Sequence, residues 1–121
     1  MAAVAKPLEP KPAVAAGACA IDVEHLARMT LGERSLEREV LELFDRQAEM
    51  LLPRIRRGEP ALAAASAHTL KGSAVGIGAF RVARAAEAVE QAKDGSFLAA
   101  VERLAAVLEE TKAEIARLLA N

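Results

Sequence analysis

From position 21 onward the apolar residues recur every three or four positions, the spacing of one helix face rather than the alternation of a strand. Asp22 predicts the N-cap of a short helix with Val23, Leu26 and Met29 on one side, ended by Leu31-Gly32. Ser35 predicts the start of a second helix, with Glu37 and Glu39 in the first turn, where the dipole favours negative charge. Arg38 stands three residues after Ser35, so there is no reciprocal capping box. The apolar row of this helix is Leu36, Val40, Leu43, Phe44, Leu51 and Ile55. Pro53 interrupts the row without an amide donor, which predicts a kink or a detached last turn before Gly58 closes the helix.

Pro60 suits a first helical position, and a third helix runs through Leu62, Ala67, Leu70 and Ala74 towards Gly76 and Gly78. A fourth starts near Ala79, buries Val82, Ala85, Ala86 and Val89, and ends at Asp94-Gly95. Ser96 is the expected cap of a last helix whose Phe97, Val101, Leu104, Leu108, Ile115 and Leu118 form a near-heptad seam. The connections are short, so successive helices should fold back on one another. The expected fold is all-α: an antiparallel four-helix bundle with a short additional N-terminal helix, over residues 21–121. Residues 1–20, with Pro7, Pro10 and Pro12 among Ala, Lys and Glu, read as a disordered Ala/Pro-rich leader.

Composition narrows the function classes. Hydrophobic residues make up 53% of the 121 but aromatics only 2%, and the excess is largely Ala, the strongest helix former. A net charge of -1 argues against a nucleic-acid partner, which selects for basic domains. A lone cysteine, Cys19, forms no internal disulfide and fits a reducing, cytoplasmic setting. No uninterrupted apolar stretch is long enough to span a bilayer, so no membrane partner is expected. The bundle looks self-sufficient, which makes a monomer the default expectation.

Candidate chemistry concentrates in Ala67-His68-Thr69-Leu70-Lys71-Gly72-Ser73-Ala74. With His68 at zero on a helical wheel of about 100° per residue, Ala63, Ala67, Leu70 and Ala74 group at roughly 200–260° and mark the core side. His68 therefore points outward, sharing its face with Ala61, Ala64, Ala65, Lys71, Gly72 and Val75. A solvated face would carry more long polar side chains; this one is small and flat, as a docking surface needs to be. An imidazole with a pKa of about 6.5 is largely neutral near pH 7, so one ring nitrogen can attack a phosphoryl donor. Such transfer needs in-line access and charge stabilisation rather than an acid–base apparatus. Gly72 clears the approach one turn on, and Lys71 is placed to offset the charge of the transferring group.

His68-Thr69-Leu70-Lys71-Gly72-Ser73-Ala74, followed by Gly76-Ile77-Gly78-Ala79-Phe80, resembles the signature of histidine phosphotransfer (HPt) domains: His, any residue, Leu, Lys, Gly, small residues, then a Gly-rich break. The resemblance covers roughly residues 21–121. It implies that His68 is the phosphoacceptor, with Lys71 and Gly72 matching the positions beside it. Members often place a Gln or Glu on the next helix to hold the other ring nitrogen, and an ungapped carry-over puts that residue at Glu90, beside Gln91. The implied partners are response-regulator receiver domains and a hybrid histidine kinase. The implied role is a phosphorelay intermediate without kinase activity of its own, needing no cofactor; magnesium would belong to the partner receiver domain.

Two other readings compete with a freestanding relay protein. One is the detached substrate domain of a chemotaxis-type histidine kinase, disfavoured because no long linker leads on to a kinase core. The other is a non-catalytic helical adaptor that uses the Ala/Gly face. His25 has no accompanying motif and reads as ordinary surface. Arg54, Arg56 and Arg57 dress a helix C-terminus. Ser66 and Ser73 read as helix-packing residues, since no carboxylate is spaced to complete a triad. Two distant histidines and one cysteine make a metal site unexpected.

Overall fold

A computed structural model of the chain describes residues 20–120. Five α-helices follow one another: α1 (Val23–Met29), α2 (Arg34–Arg56), α3 (Pro60–Ile77), α4 (Phe80–Gln91) and, after a single 3-10 turn at Asp94–Ser96, α5 (Phe97–Ala120). The described residues contain no strand. α2 and α4 each pack against both α3 and α5, which closes a four-helix ring, and α1 lies on α3. Cross-helix contacts fix the direction. Arg38 Nη1 donates to the Leu119 carbonyl (2.7 Å), Lys112 Nζ to Glu49 Oε2 (3.0 Å), and Arg56 meets Glu102 at 4.0 Å, so α2 and α5 are antiparallel. The four-helix bundle with an extra N-terminal helix is the expected architecture. The leader expected over 1–20 lies outside the described residues except for Ala20, which is buried.

Several boundaries differ from expectation for local reasons. Asp22 caps α1 as expected, its Oδ1 accepting from the His25 amide at 3.1 Å. α2 starts at Arg34, with Glu33 at the N-cap and no side-chain capping bond, so Ser35 does not cap it. Leu31 and Gly32 both turn left-handed (φ 57° and 74°) and deliver the chain extended at Glu33, whose carbonyl accepts from the Glu37 amide at 2.9 Å. Pro53 neither splits off nor ends α2, which runs on to Arg56. Burial of Leu51 and Ile55 on either side of the proline offsets the amide bond it cannot donate.

α3 passes Gly76 and stops at Gly78, which is left-handed at φ 82°. A Cβ there would sit 2.8 Å from the Asp22 carbonyl oxygen, so this glycine lets the start of α1 close on the α3–α4 turn. The Asp22 amide donates to the Gly78 carbonyl at 2.9 Å. α4 ends at Gln91, short of Asp94, because Ala92 turns extended. Ser96 spends its hydroxyl on the 3-10 turn, accepting from the Lys93 amide (3.1 Å) and donating to the Lys93 carbonyl (2.9 Å), rather than capping α5.

The core runs along the bundle axis through Phe44, Ile55, Leu70, Val82, Val101, Leu104 and Ile115. Between these, Ala63, Ala67, Ala74 and Ala86 are sealed from solvent and let the helices approach closely. α2 buries Leu41, Phe44, Ala48, Leu51 and Ile55, so the expected row was partly misplaced. Leu36 and Leu43 are exposed instead, as are Val23 and Met29 on α1. α2 carries two apolar rows, and only the one through Leu41 and Ala48 faces the bundle.

Candidate functional site

His68 occupies the middle of α3 with its side chain 70% exposed. The stripe behind it, Ala63, Ala67, Leu70 and Ala74, is buried, so packing of that stripe fixes which way the imidazole faces. The tight turn at Gly78 sends α4 back along α3, and near its end Glu90 reaches the ring. Glu90 Oε2 lies 2.8 Å from His68 Nδ1, and its Oε1 lies 3.0 Å from Lys71 Nζ. An ionised carboxylate only accepts, so Nδ1 carries the hydrogen and donates it. Nε2 then keeps its lone pair, and among the described residues it has no partner.

Burial works against the charge on Glu90, whose side chain is only 20% exposed. Hydrogen bonds from Lys71 and His68, with their positive field, outweigh it and hold the carboxyl below its ordinary range. Glu90 is thus a fixed anion at neutral pH. Gln91, its neighbour, turns away to donate to Glu87 Oε2 at 3.4 Å. Lys71 is half-buried and anchored on Glu90, one step back from the position expected of a group that offsets the transferring charge.

Gly72 lies exposed one turn from His68, and a Cβ added there would meet nothing within 4 Å. Packing therefore gives no reason for glycine, which costs a helix interior about 1 kcal/mol relative to Ala. Ala61 and Ala65 are exposed, Ala64 is half-buried, and Val75 is 44% exposed, so the face around the ring is low and largely open. Alongside it runs a feature the sequence reading missed. Met29, Leu36, Val40 and Leu43 line an apolar groove of about 270 Å³ together with Ser73 and Gly76 of α3. Met50, also exposed, extends the α2 row beyond Leu43. The available signal was the seven-residue spacing of Leu36, Leu43 and Met50.

The second histidine is unlike the first, and it is not ordinary surface. His25 is half-buried, its ring packed edge-to-face on Phe80 with centroids 5.2 Å apart, and its Nε2 is enclosed without a hydrogen-bond partner. Ser66 is buried and Ser73 half-buried in the groove wall.

The Hpt domain family model matches residues 34–121, which span α2 to the C-terminus and include every residue of the His68 site. The chain belongs to the Hpt domain family. A solved histidine phosphotransferase, ShpA from Caulobacter crescentus, is similar in fold to this Hpt domain. The TM-score is 0.68 at 28% identity, over 81% of this chain and 88% of that one. No curated protein matches the sequence. Family membership gives this Hpt domain a phosphorelay role in two-component signalling. Among the described residues no helix is long and apolar enough to cross a membrane.

Proposed function

We propose that this Hpt domain is a phosphocarrier in which His68 accepts a phosphoryl group from a receiver-domain aspartyl phosphate and passes it to another receiver domain. The Nε2 lone pair attacks phosphorus as the bond to the aspartate oxygen breaks, giving an Nε2–phosphoryl histidine and a free aspartate carboxylate. The ring becomes cationic as this bond forms, and the Glu90 carboxylate on Nδ1 stabilises that charge without taking the proton. Transfer onward reverses the same step. Lys71 acts by holding Glu90 in place. Gly72, Ala61, Ala64, Ala65 and Val75, with the groove beside them, form the surface on which the receiver docks. Magnesium is supplied within the receiver domain, phosphate enters the relay from a hybrid histidine kinase, and this domain carries the phosphoryl group without kinase activity of its own. The protein works as a cytoplasmic monomer.

The observation that carries this reading is an imidazole 70% exposed, with Nδ1 tied to a carboxylate and Nε2 free. Incubation with a radiolabelled phospho-receiver is expected to label the wild type with an acid-labile, base-stable adduct, the behaviour of a phosphoramidate. His68→Gln should take no label. Label on the variant at the wild-type level refutes the assignment. Labelling only by a kinase core with ATP, and by no receiver, would make it a kinase substrate domain instead.

A further inference from the structure

The turn from α1 into α2 holds a leucine where the backbone favours glycine. α1 closes on a Schellman motif: the Gly32 amide donates to the Ala27 carbonyl at 2.9 Å, and the Leu31 amide to the Arg28 carbonyl at 3.4 Å. The motif needs a left-handed residue at the position Leu31 occupies, where glycine is usual because a Cβ crowds the following carbonyl oxygen. Here glycine comes one place later, at Gly32, and the leucine itself adopts φ 57°. Among the described residues it is the only non-glycine with a positive φ.

Burial does not offset that strain. Leu31 is 88% exposed, more than any other large hydrophobic among the described residues. Leu98, next at 72%, sits in ordinary helical backbone near the start of α5. Only Leu31 combines a strained backbone with an apolar side chain given wholly to solvent, and nothing within the fold gains from either.

Its place in the fold says what covers it. Leu31 follows Met29 and Thr30, which line the apolar groove with Ser73, Gly76 and Ile77. These three stand five to nine residues beyond His68 in α3, roughly 8–14 Å along the axis. Adding the ~8–10 Å between packed helices sets Leu31 some 15–20 Å from the imidazole. A domain of 100–150 residues is about 35 Å across, so one docked over His68 reaches this turn. A second copy of the chain would have to cover Leu31 and leave His68 open. A receiver has to approach His68 in any case and covers both.

We infer that Leu31 is a docking anchor for the receiver domain, an apolar side chain that the receiver covers while its aspartyl phosphate meets Nε2; this rests on the phosphotransfer reading. The turn is held on both sides, since the Glu33 amide donates to the Thr30 carbonyl at 3.0 Å, so the anchor is presented already ordered. Receivers that fit carry an apolar recess some 15–20 Å from their phosphoaspartate. A charged side chain at that place keeps a receiver out of the relay, which makes Leu31 a determinant of specificity rather than of chemistry.

The test follows transfer to the full chain from the phosphorylated receiver domain that labels His68 fastest among those of the source organism, with the concentration of this chain varied. Leu31→Gly and Leu31→Asn, both at ease in a left-handed turn, should raise KM at least tenfold with kcat within twofold of wild type. Leu31→Met should keep KM within threefold. Leu98→Ala, which removes an exposed leucine from the helix diagonally across the bundle, should leave both constants within twofold. Labelling by phosphoramidate, a small donor that needs no docking, should be equal in all of them, and the urea midpoint of Leu31→Gly should not fall. An unchanged KM in Leu31→Gly overturns the anchor and leaves His68 standing as phosphoacceptor. An equal rise in Leu98→Ala, a phosphoramidate rate that falls in step with KM, or a lower urea midpoint in Leu31→Gly also overturns it. A wild type that no receiver labels ends the receiver reading, and the anchor with it.

Discussion

The two faces of α3 are built from nearly the same small residues and serve opposite ends. Inward, Ala63, Ala67 and Ala74 are at most 1% exposed and let α2 and α4 pack close on either side. Outward, Ala61, Ala65 and Gly72 stand in solvent, and a Cβ added at Gly72 would meet nothing within 4 Å. What separates the faces is the large residue at the centre of each, Leu70 sealed in the core and His68 open to solvent. Small side chains thus have two meanings on one helix: close contact within the molecule, and clearance for another molecule.

That contrast breaks first on the inner face. Leu70→Ala should destabilise the bundle by about 2–5 kcal/mol, and Ala67→Leu by about 1–3 kcal/mol through overpacking. Urea denaturation measures both. Phosphotransfer per folded molecule should change little, since His68 and its partners are untouched. A loss below ~0.5 kcal/mol for both variants would mean that the inner face is not closely packed.

The outer face should respond in the reverse sense. Gly72→Leu is expected to slow transfer from a phospho-receiver at least tenfold, because a branched side chain then stands one turn from Nε2. The same substitution should leave stability unchanged or raise it by about 0.5–1 kcal/mol, since leucine suits an exposed helix position better than glycine. Stopped-flow or quench-flow transfer assays beside urea curves separate the two readouts. Transfer at the wild-type rate would show that the partner does not approach over Gly72.

Much of the scaffold was legible because helix periodicity and capping residues report on local structure, and local structure dominates a bundle with short connections. The outward direction of His68 followed from the same wheel, and the ungapped spacing from the motif brought Glu90 to the right turn of α4. The misses share a physical cause. Leu36 and Leu43 were expected in the core because α2 carries two apolar rows, and periodicity does not say which row meets the bundle. Lys71 stands near His68, as its i, i+3 spacing requires, but the partner it takes there was not legible. Its capture by Glu90 is a contact between helices that no spacing within α3 encodes. His25 was read as surface because its packing partner, Phe80, lies far along the chain.

The smallest expected effect sharpens the outer face most, because it isolates charge from geometry. Glu90→Gln keeps a carbonyl oxygen to accept from Nδ1, so the tautomer and ring position should persist, but the negative charge is gone. Transfer should slow by about three- to tenfold, as a neutral amide stabilises the developing imidazolium less well than a carboxylate. Stability should carry the same signature with a defined pH dependence. The Glu90 carboxyl sits below its ordinary value in the folded protein: burial opposes the charge, and Lys71 and His68 more than compensate. Its contribution is therefore fully present above the unfolded value of about 4.3 and is lost as pH falls through the lower folded value. Wild type should exceed Glu90→Gln by about 0.5–1 kcal/mol at pH 7, a modest gain because His68 stands largely in solvent. The two urea midpoints should converge on acidification below pH ~4. A difference that persists unchanged at pH 3 would assign the loss to packing around the amide and remove the charged clamp from the account of His68.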